Sequence, residues 1–448
     1  MPFVGTFAGD SARGKGMFNA KIAYTAPTIN TSGVITSMTT GATSGGNVSA
    51  SGGSGVYSYS VYSGSLPYNL TLNTSTGYIT GTLQAGGTFN VVFRVTDTVS
   101  GLTANSSTIT ITTTYNSIYA FTPYSSYTTP YSDLEKFNLS LSTYTNNSFF
   151  SNSGGTIAQQ MATDSYGRIF APLPNNAGIA IWSNGSYSLI SLGAGFNIYS
   201  NACLGPDGNM YVGGAYASSS SGLILKYDSA LTQTAYIDSG SASVYGICSD
   251  GSSKLYFNYN NGIRYFDTSS HSFSTIFTGI ISYTITSQIA YPGDGNVYTT
   301  MTSNIGSRTS RRNVWQMAKV TTGGSYTAYT IHDSGGGSND AAGSLCSTVI
   351  SGTPYVYLGG YSAVDGVSAM ASFNTSTNAI TVYIPTLLTG NGYNQPVTSI
   401  FAHTNGSIYG SANIPSAATS FILRLTSGTF SSGSAASGES IYSITAGP

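Results

Sequence analysis

A phrase of two short strands joined by a polar turn recurs along the chain. It appears as MATDSYGRIF from 161, ACLGPDGNMYVGG from 202, GICSDGSSKLYF from 246, QIAYPGDGNVYT from 288, LCSTVISGTPYVYLGG from 345 and SIFAHTNGSIYG from 399. The second strand of each copy carries an aromatic anchor: Phe170, Tyr211, Tyr256, Tyr298, Tyr357 and Tyr409, at intervals of 41, 45, 42, 59 and 52 residues. A third strand follows in every unit, as GIAIW at 178, GLILKYD at 222, GIRYFDT at 262, VWQMAKV at 314, AMASFNT at 369 and FILRLTS at 421. Periods of this length, with four strands each, are those of propeller blades, since one such sheet cannot bury its apolar faces alone and must stack on its neighbours.

Two half-units are left over, and they set the topology. IYSITAGP at 441–448 reads as an inner strand without partners, whereas NSIYAF at 116–121, followed by LEKFNLS at 134–140, reads as a blade lacking its inner strand. Joined, SITAGP and NSIYAF repeat the phrase FAHTNGSIYG. A ring that shares one blade between distant parts of the chain exposes no sheet edge. Residues 116–448 are therefore expected to form a seven-bladed β-propeller closed by the C-terminal strand.

Composition narrows the function. Lys plus Arg number 14 and Asp plus Glu 15 in 448 residues, so the net charge is −1 and only 6% of the chain is charged. No extended positive field is available for phosphates, which argues against a nucleic-acid partner. Aromatic residues make up 12% of the chain, including 35 Tyr, enough apolar surface to fold on. The first 25 residues are interrupted by Asp10, Arg13, Lys15 and Lys21, and no 18-residue apolar run occurs, so neither export signal nor membrane insertion is expected. Cys203, Cys248 and Cys346 show no CxxC spacing and no accompanying His cluster. They are expected to be small buried core residues rather than disulfide or metal ligands, and no metal or cofactor is expected.

Ahead of the propeller lie two further segments. Residues 1–27 are Gly- and charge-punctuated and too short for a core, and read as an arm. Residues 28–115 alternate short strands with turn clusters, as a β-sandwich does: VYSYSVY at 56–62, LTLN, GYITGT, TFNVVFRVTD and STITITT. The order Ser63-Gly64-Ser65-Leu66-Pro67, Leu70-Thr71-Leu72-Asn73, Thr76-Gly77-Tyr78-Ile79-Thr80-Gly81-Thr82 and Val92-Phe93-Arg94-Val95-Thr96-Asp97 resembles the immunoglobulin-like domains common on surface and virion proteins. That resemblance implies that its glycines are architectural, at tight bends. Asp97 is expected to cap a turn, because the carboxylate set a calcium ion requires is missing around it. The fold class is thus all-β, an immunoglobulin-like sandwich followed by the propeller.

The Asp-Gly or Asn-Gly pairs at 207/208, 250/251, 294/295 and 405/406 are expected to be two-residue hairpin turns. The second-to-third strand connections (121–132, 213–221, 299–313, 359–368, 411–420) and the joins between blades (333–343, 388–398, 431–440) are longer, and share one face. That face is the expected contact surface. Its candidate binding residues are Tyr124, Tyr127, Tyr131, Tyr216, Tyr361 and Tyr393, whose phenols combine a flat apolar face with a polar tip, and the basic cluster Arg308, Arg311 and Arg312. Asp164, Cys203, Cys248, His403 and Thr445 are expected to face the central channel, with His403 buried and hydrogen-bonded on an innermost strand. They form no acid/base, metal or oxyanion set, and His271, His332 and His403 lie far apart in sequence, so no catalytic residue is assigned and the chain is not expected to be an enzyme.

An arm, an immunoglobulin-like module and a charge-poor propeller together resemble a bacteriophage virion protein of the tail-fibre or decoration type. Phe3-Val4-Gly5-Thr6-Phe7-Ala8-Gly9 with Ser11-Ala12-Arg13-Gly14 is similar to the start of a number of phage tail and fibre proteins. The resemblance implies assembly in the host cytoplasm into virions, in multiple copies per particle. It implies other virion proteins as partners through the arm, and a propeller that presents a surface to host glycan or a neighbouring virion protein. Capsid decoration, and a propeller lyase or glycosidase acting on host polysaccharide, are the alternatives.

Overall fold

The computed structural model describes residues 24–447 except 126–129, 142–143, 152–159, 174–177, 184, 193–194, 217–218, 220, 239–242, 260–261, 279–282, 306–311, 336–339, 386–396, 415–418, 435–440 and 442. Every regular element among them is a strand, and no helix is long and apolar enough to cross a membrane. The arm expected at 1–27 falls almost wholly outside the described residues.

Among the described residues, strands between Thr28 and Thr114 pair only with one another. One sheet runs Ser37–Thr39, Ile109–Thr114, Gly87–Asp97, Tyr57–Gly64, with Thr103–Asn105 also paired to Gly87–Asp97. A second runs Ser44–Asn47, Tyr78–Gly81, Leu70–Leu72. Alternation along Gly87–Asp97 buries Val91, Phe93 and Val95 against Tyr59, Leu70, Ile79 and Leu83, the core of the sandwich. Gly77 and Gly81 take φ of +75° and +136°, the bends expected of the Gly-x-Ile-x-Gly phrase. Asp97 caps as expected: its carboxylate accepts hydrogen bonds from the Ser54 hydroxyl (2.7 Å), the N–H groups of Val99 and Ser100 (both 3.0 Å) and the Ser54 N–H.

Among the described residues, seven four-stranded sheets follow. Six are continuous in sequence, beginning at Ala162, Phe196, Gly246, Tyr283, Ala341 and Ile400. The seventh runs Ser443–Gly447, Ser117–Ser125, Pro130–Asn138, Tyr144–Ser151. Its inner strand is antiparallel to the second, with Ser117 opposite Gly447 and Phe121 opposite Ser443. The chain thus closes as the half-units require. Each aromatic anchor pairs with an inner-strand residue, Phe170 with Ala162, Tyr211 with Cys203 and Tyr256 with Cys248, and is buried between sheets. The cores are shared by neighbours: Phe170, Ile179 and Ile181 of one blade pack with Val212, Leu223 and Leu225 of the next. Each such fully buried apolar side chain contributes roughly 1.5–3 kcal/mol, so stability accrues blade against blade.

The turns between first and second strands differ from the expectation. Asp164 N–H bonds the Arg168 carbonyl (3.0 Å), Gly205 N–H that of Asn209 (2.8 Å) and His403 N–H that of Ser407 (2.9 Å), so three residues, not two, cross each turn. Only the glycine of each pair is left-handed, as at Gly208 and Gly406, with φ of +76° and +83°. The preceding carboxylate reaches the following strands instead: Asp207 accepts from the Tyr211 hydroxyl at 2.8 Å and pairs with Lys226 at 2.9 Å, and Asp294 accepts from the Tyr298 hydroxyl at 2.6 Å. A Gly in this position suits a three-residue hairpin as well as a two-residue one, so the dipeptide could not fix the length.

Candidate functional site

The seven inner strands surround a central channel with a cavity of about 440 Å³. Its wall is made of small or neutral side chains, among them Ala162, Ala202, Ala290, Ala402, Thr163 and Thr445. Cys203, Cys248 and Cys346 also line it. Cys203 and Cys248 thus face the channel as expected and Cys346 joins them; all three are free, and half-buried rather than enclosed in a core as buried residues would be. Burial pushes the Cys203 thiol up to about 12 and raises Cys248 and Cys346 too, so at neutral pH they are thiols rather than thiolate nucleophiles.

Polar groups along the channel are turned to neighbouring strands. Asn201 donates to the Ile247 carbonyl (2.8 Å) and accepts the Ile247 N–H (2.9 Å), and Gln160 donates to the Ile400 carbonyl at 2.8 Å. Thr163 donates to the Ala446 carbonyl, and the Met161 N–H bonds Ser443 Oγ at 2.7 Å. These bonds stitch the ring together. Among the described residues the lining includes no carboxylate, lysine or arginine. Asp164, expected in the channel, lies instead in the turn below it, where its carboxylate accepts from Arg168 Nε (2.6 Å) and the N–H groups of Tyr166 (2.9 Å) and Arg168 (2.8 Å).

His403 does line the channel, immediately after the strand Ile400–Ala402. Its Nδ1 accepts the Asn405 N–H (3.0 Å) and its Nε2 bonds the Tyr115 carbonyl (3.1 Å). Both contacts are satisfied by one neutral tautomer, protonated at Nε2. Burial lowers its basicity, aided by the nearby Arg424 guanidinium, against the bonds from Asn405 and Tyr115 that raise it. The other faces of the ring meet Phe401 and Tyr409. An unfolded His takes up a proton near pH 6.5, whereas the folded one resists it, so stability is complete above that pH and declines as pH falls towards the folded value. We expect the melting temperature to drop between pH 7 and 5, and His403→Gln to flatten that decline in a pH series of thermal melts.

Tyr115 belongs to the link between the two domains, and it shows how they meet. Its hydroxyl donates to the Asp164 carbonyl at 3.2 Å, its ring packs over Gly86, and it lines the channel mouth beside the first-to-second strand turns. Burial pushes its hydroxyl up to about 12. Tyr68 meets Tyr166 edge-on at 5.0 Å, and Asn116 bonds Thr40 through its backbone N–H (3.1 Å) and side-chain amide (2.9 Å). The sandwich therefore docks on the short-turn face. Nothing local in Tyr115 signals this role.

The opposite face carries the second-to-third hairpins, and here strands replace much of the expected loop. Residues 117–125 and 130–138 pair out to Ser125 and Pro130, Ile305 pairs with Arg312, and Ser362 with Val367. Among the candidate residues, Tyr124 and Tyr131 are opposite each other in that first ladder, and Arg312 starts its strand. Tyr216 packs edge-on against Phe196 at 5.4 Å, and Tyr361 is half-buried between Ala341 and Ser368. Tyr127, Arg308, Arg311 and Tyr393 lie outside the described residues. What sequence reasoning missed on this face is Asp340. Buried, it bonds His332 Nδ1 (3.0 Å), the Ser334 N–H (2.8 Å) and the Ala363 N–H (2.8 Å), tying a join between blades to a neighbouring hairpin. Burial alone would raise this carboxyl; the bonds from Ala363, Ser334 and His332 outweigh it and hold it below the usual range.

Comparison with known proteins bears on the fold. No curated protein matches the chain. A streptogramin B lyase structure is similar at 14% identity over 66% of this chain and 90% of its own, with a TM-score of 0.46. A quinonprotein alcohol dehydrogenase-like protein from Bacteroides thetaiotaomicron is similar at 10% identity over 94% of this chain and 99% of its own, with a TM-score of 0.45. Residues 20–116 match the family model described as "Putative Ig domain". The chain is accordingly an immunoglobulin-like domain followed by a seven-bladed, C-terminally closed β-propeller.

Proposed function

We propose that this chain is a structural or host-recognition component of a bacteriophage particle, a tail-fibre or appendage protein whose propeller presents a binding surface. The observation that carries the reading is the docking geometry. The chain enters the sandwich beside Gly53, near Asp97 and Thr25, while the propeller is held at Thr40, Gly86 and Asn116. The spacer and the head are thus in series, and the hairpin face points away from the spacer. A channel lined by paired, uncharged groups fits recognition better than acid/base chemistry, which requires a titratable pair aimed at a substrate.

Incubating the full chain with candidate host cells and purified envelope glycans, with a time course for oligosaccharide release, tests this. Cell binding without release is the expected result. Release of oligosaccharide would establish a lyase or glycosidase, and absence of binding to any cell would leave a particle-building or decoration role.

A further inference from the structure

Between residues 24 and 116 the sequence carries two charged side chains, Arg94 and Asp97. Asp97 is buried and occupied by its turn. Arg94 is therefore the one charge that the sandwich offers to solvent, and its surroundings hold it in place. It lies on Gly87–Asp97, directly opposite Ser60 on one side and Asn105 on the other, so the three side chains share the sheet's outer face. Its Nε donates to Asn105 Oδ1 at 2.8 Å. Its guanidinium carbon stands 4.0 Å from the centre of the Tyr62 ring.

Tyr62 reaches this place through a backbone irregularity. Val61 pairs with Phe93 and Ser63 with Val92, leaving Tyr62 as the extra residue of a bulge in the edge strand Tyr57–Gly64. Bulges re-aim side chains and also blunt exposed sheet edges. Edge protection alone would be served by the bulge with any residue in it. Here the re-aimed residue is an aromatic, 52% exposed, stacked on the module's one cation. Stacking and the Asn105 bond fix the guanidinium plane, and Nη1 and Nη2 make no hydrogen bond among the described residues. That end of the fork matches the two oxygens of a carboxylate.

We propose that Tyr62, Arg94 and Asn105 form a binding site for a carboxylate-bearing saccharide, a uronate residue, on the outer face of the immunoglobulin-like domain. The cation and its amide neighbour supply the anion contact, and the exposed phenol supplies a flat surface for a sugar ring. Hydroxyls flank the site on the same face, Ser58 and Ser60 on one strand and Thr96 and Thr103 on the next two, alongside Val92, which suits a ligand with both hydroxyl groups and an apolar ring face. A protein partner would call for an apolar centre to the patch. This site is separate from the propeller face assigned above, and its test does not depend on that assignment.

The experiment is titration of the full chain with oligogalacturonate, with the same oligosaccharide after carboxyl reduction, and with poly-glutamate. Oligogalacturonate is expected to bind. Arg94→Gln should weaken it by roughly tenfold or more, the fold-change that a charge-assisted hydrogen bond supplies. Arg94→Lys should restore little of this, because the ammonium keeps the charge and loses the fork. Tyr62→Ala should weaken binding as well. Melting temperatures of the variants check that the domain stays folded. The proposal is overturned if the carboxyl-reduced sugar binds equally, if Arg94→Gln binds like the parent, or if oligogalacturonate does not bind. Tighter binding of poly-glutamate would also overturn it, in favour of an acidic protein partner.

Discussion

Removal of residues 441–448 is expected to abolish the cooperative unfolding transition of the propeller. That octapeptide supplies the inner strand of the composite blade, with five paired positions from Ser443 to Gly447. Ile441 and Ile444 are fully buried with Ile118, Ala120 and Tyr409, so their loss opens a core as well as an edge. The strand also ties the blades on either side: Ile444 N–H donates to Ser399 Oγ at 3.1 Å and Met161 N–H to Ser443 Oγ at 2.7 Å. A milder form of the same change, Ile444→Ala, should cost about 2–5 kcal/mol, the range for truncating a buried Ile. Both Trp residues, Trp182 and Trp315, lie in the propeller, so tryptophan fluorescence in urea reports on this domain alone. A sharp, unshifted fluorescence transition in the truncated chain would show that the ring does not need its closing strand.

The second large effect falls on the sandwich. Gly77→Ala places a methyl group 2.1 Å from the Val48 carbonyl oxygen at a residue whose φ is +75°. Neither atom has room to retreat, because Val48 N–H is itself bonded to the Gly77 carbonyl at 2.9 Å. Left-handed strain and overlap together should cost about 2–4 kcal/mol. Gly101→Ala is the control: φ is +74°, but open space surrounds the position, so only the strain remains, about 1–2 kcal/mol. Calorimetry should show the sandwich transition falling further for Gly77→Ala than for Gly101→Ala, with the tryptophan signal unmoved. Equal shifts would mean that backbone conformation, and not the close approach to Val48, makes Gly77 necessary.

Much of the propeller was legible because a blade is a local object. Strand alternation, the Gly at the turn and the aromatic anchor all act over a dozen residues, so Tyr211 and Tyr256 announced their strands and Cys203 and Cys248 their partners. Closure was legible for a related reason: the orphan strand at 443–447 has no use except beside residues 117–121. The candidate site was far less so. Tyr216 is a surface aromatic by sequence and a packing partner of Phe196 in space. Three of the expected loops are largely paired strand, since polar Ser, Thr and Asn can prolong a hairpin as readily as leave it.

By itself, then, the sequence determined the all-β class, the number of blades, the way the ring closes and the bends of the sandwich, because each follows from periodicity or from the φ that a glycine alone accepts. Tertiary structure alone decided which propeller face the sandwich covers, through Tyr115, His403 and Asp164, and that Cys346 joins the other two thiols on the channel wall. It alone set Tyr62 over Arg94. These depend on groups from distant parts of the chain meeting across packed sheets, and no local pattern encodes such a meeting.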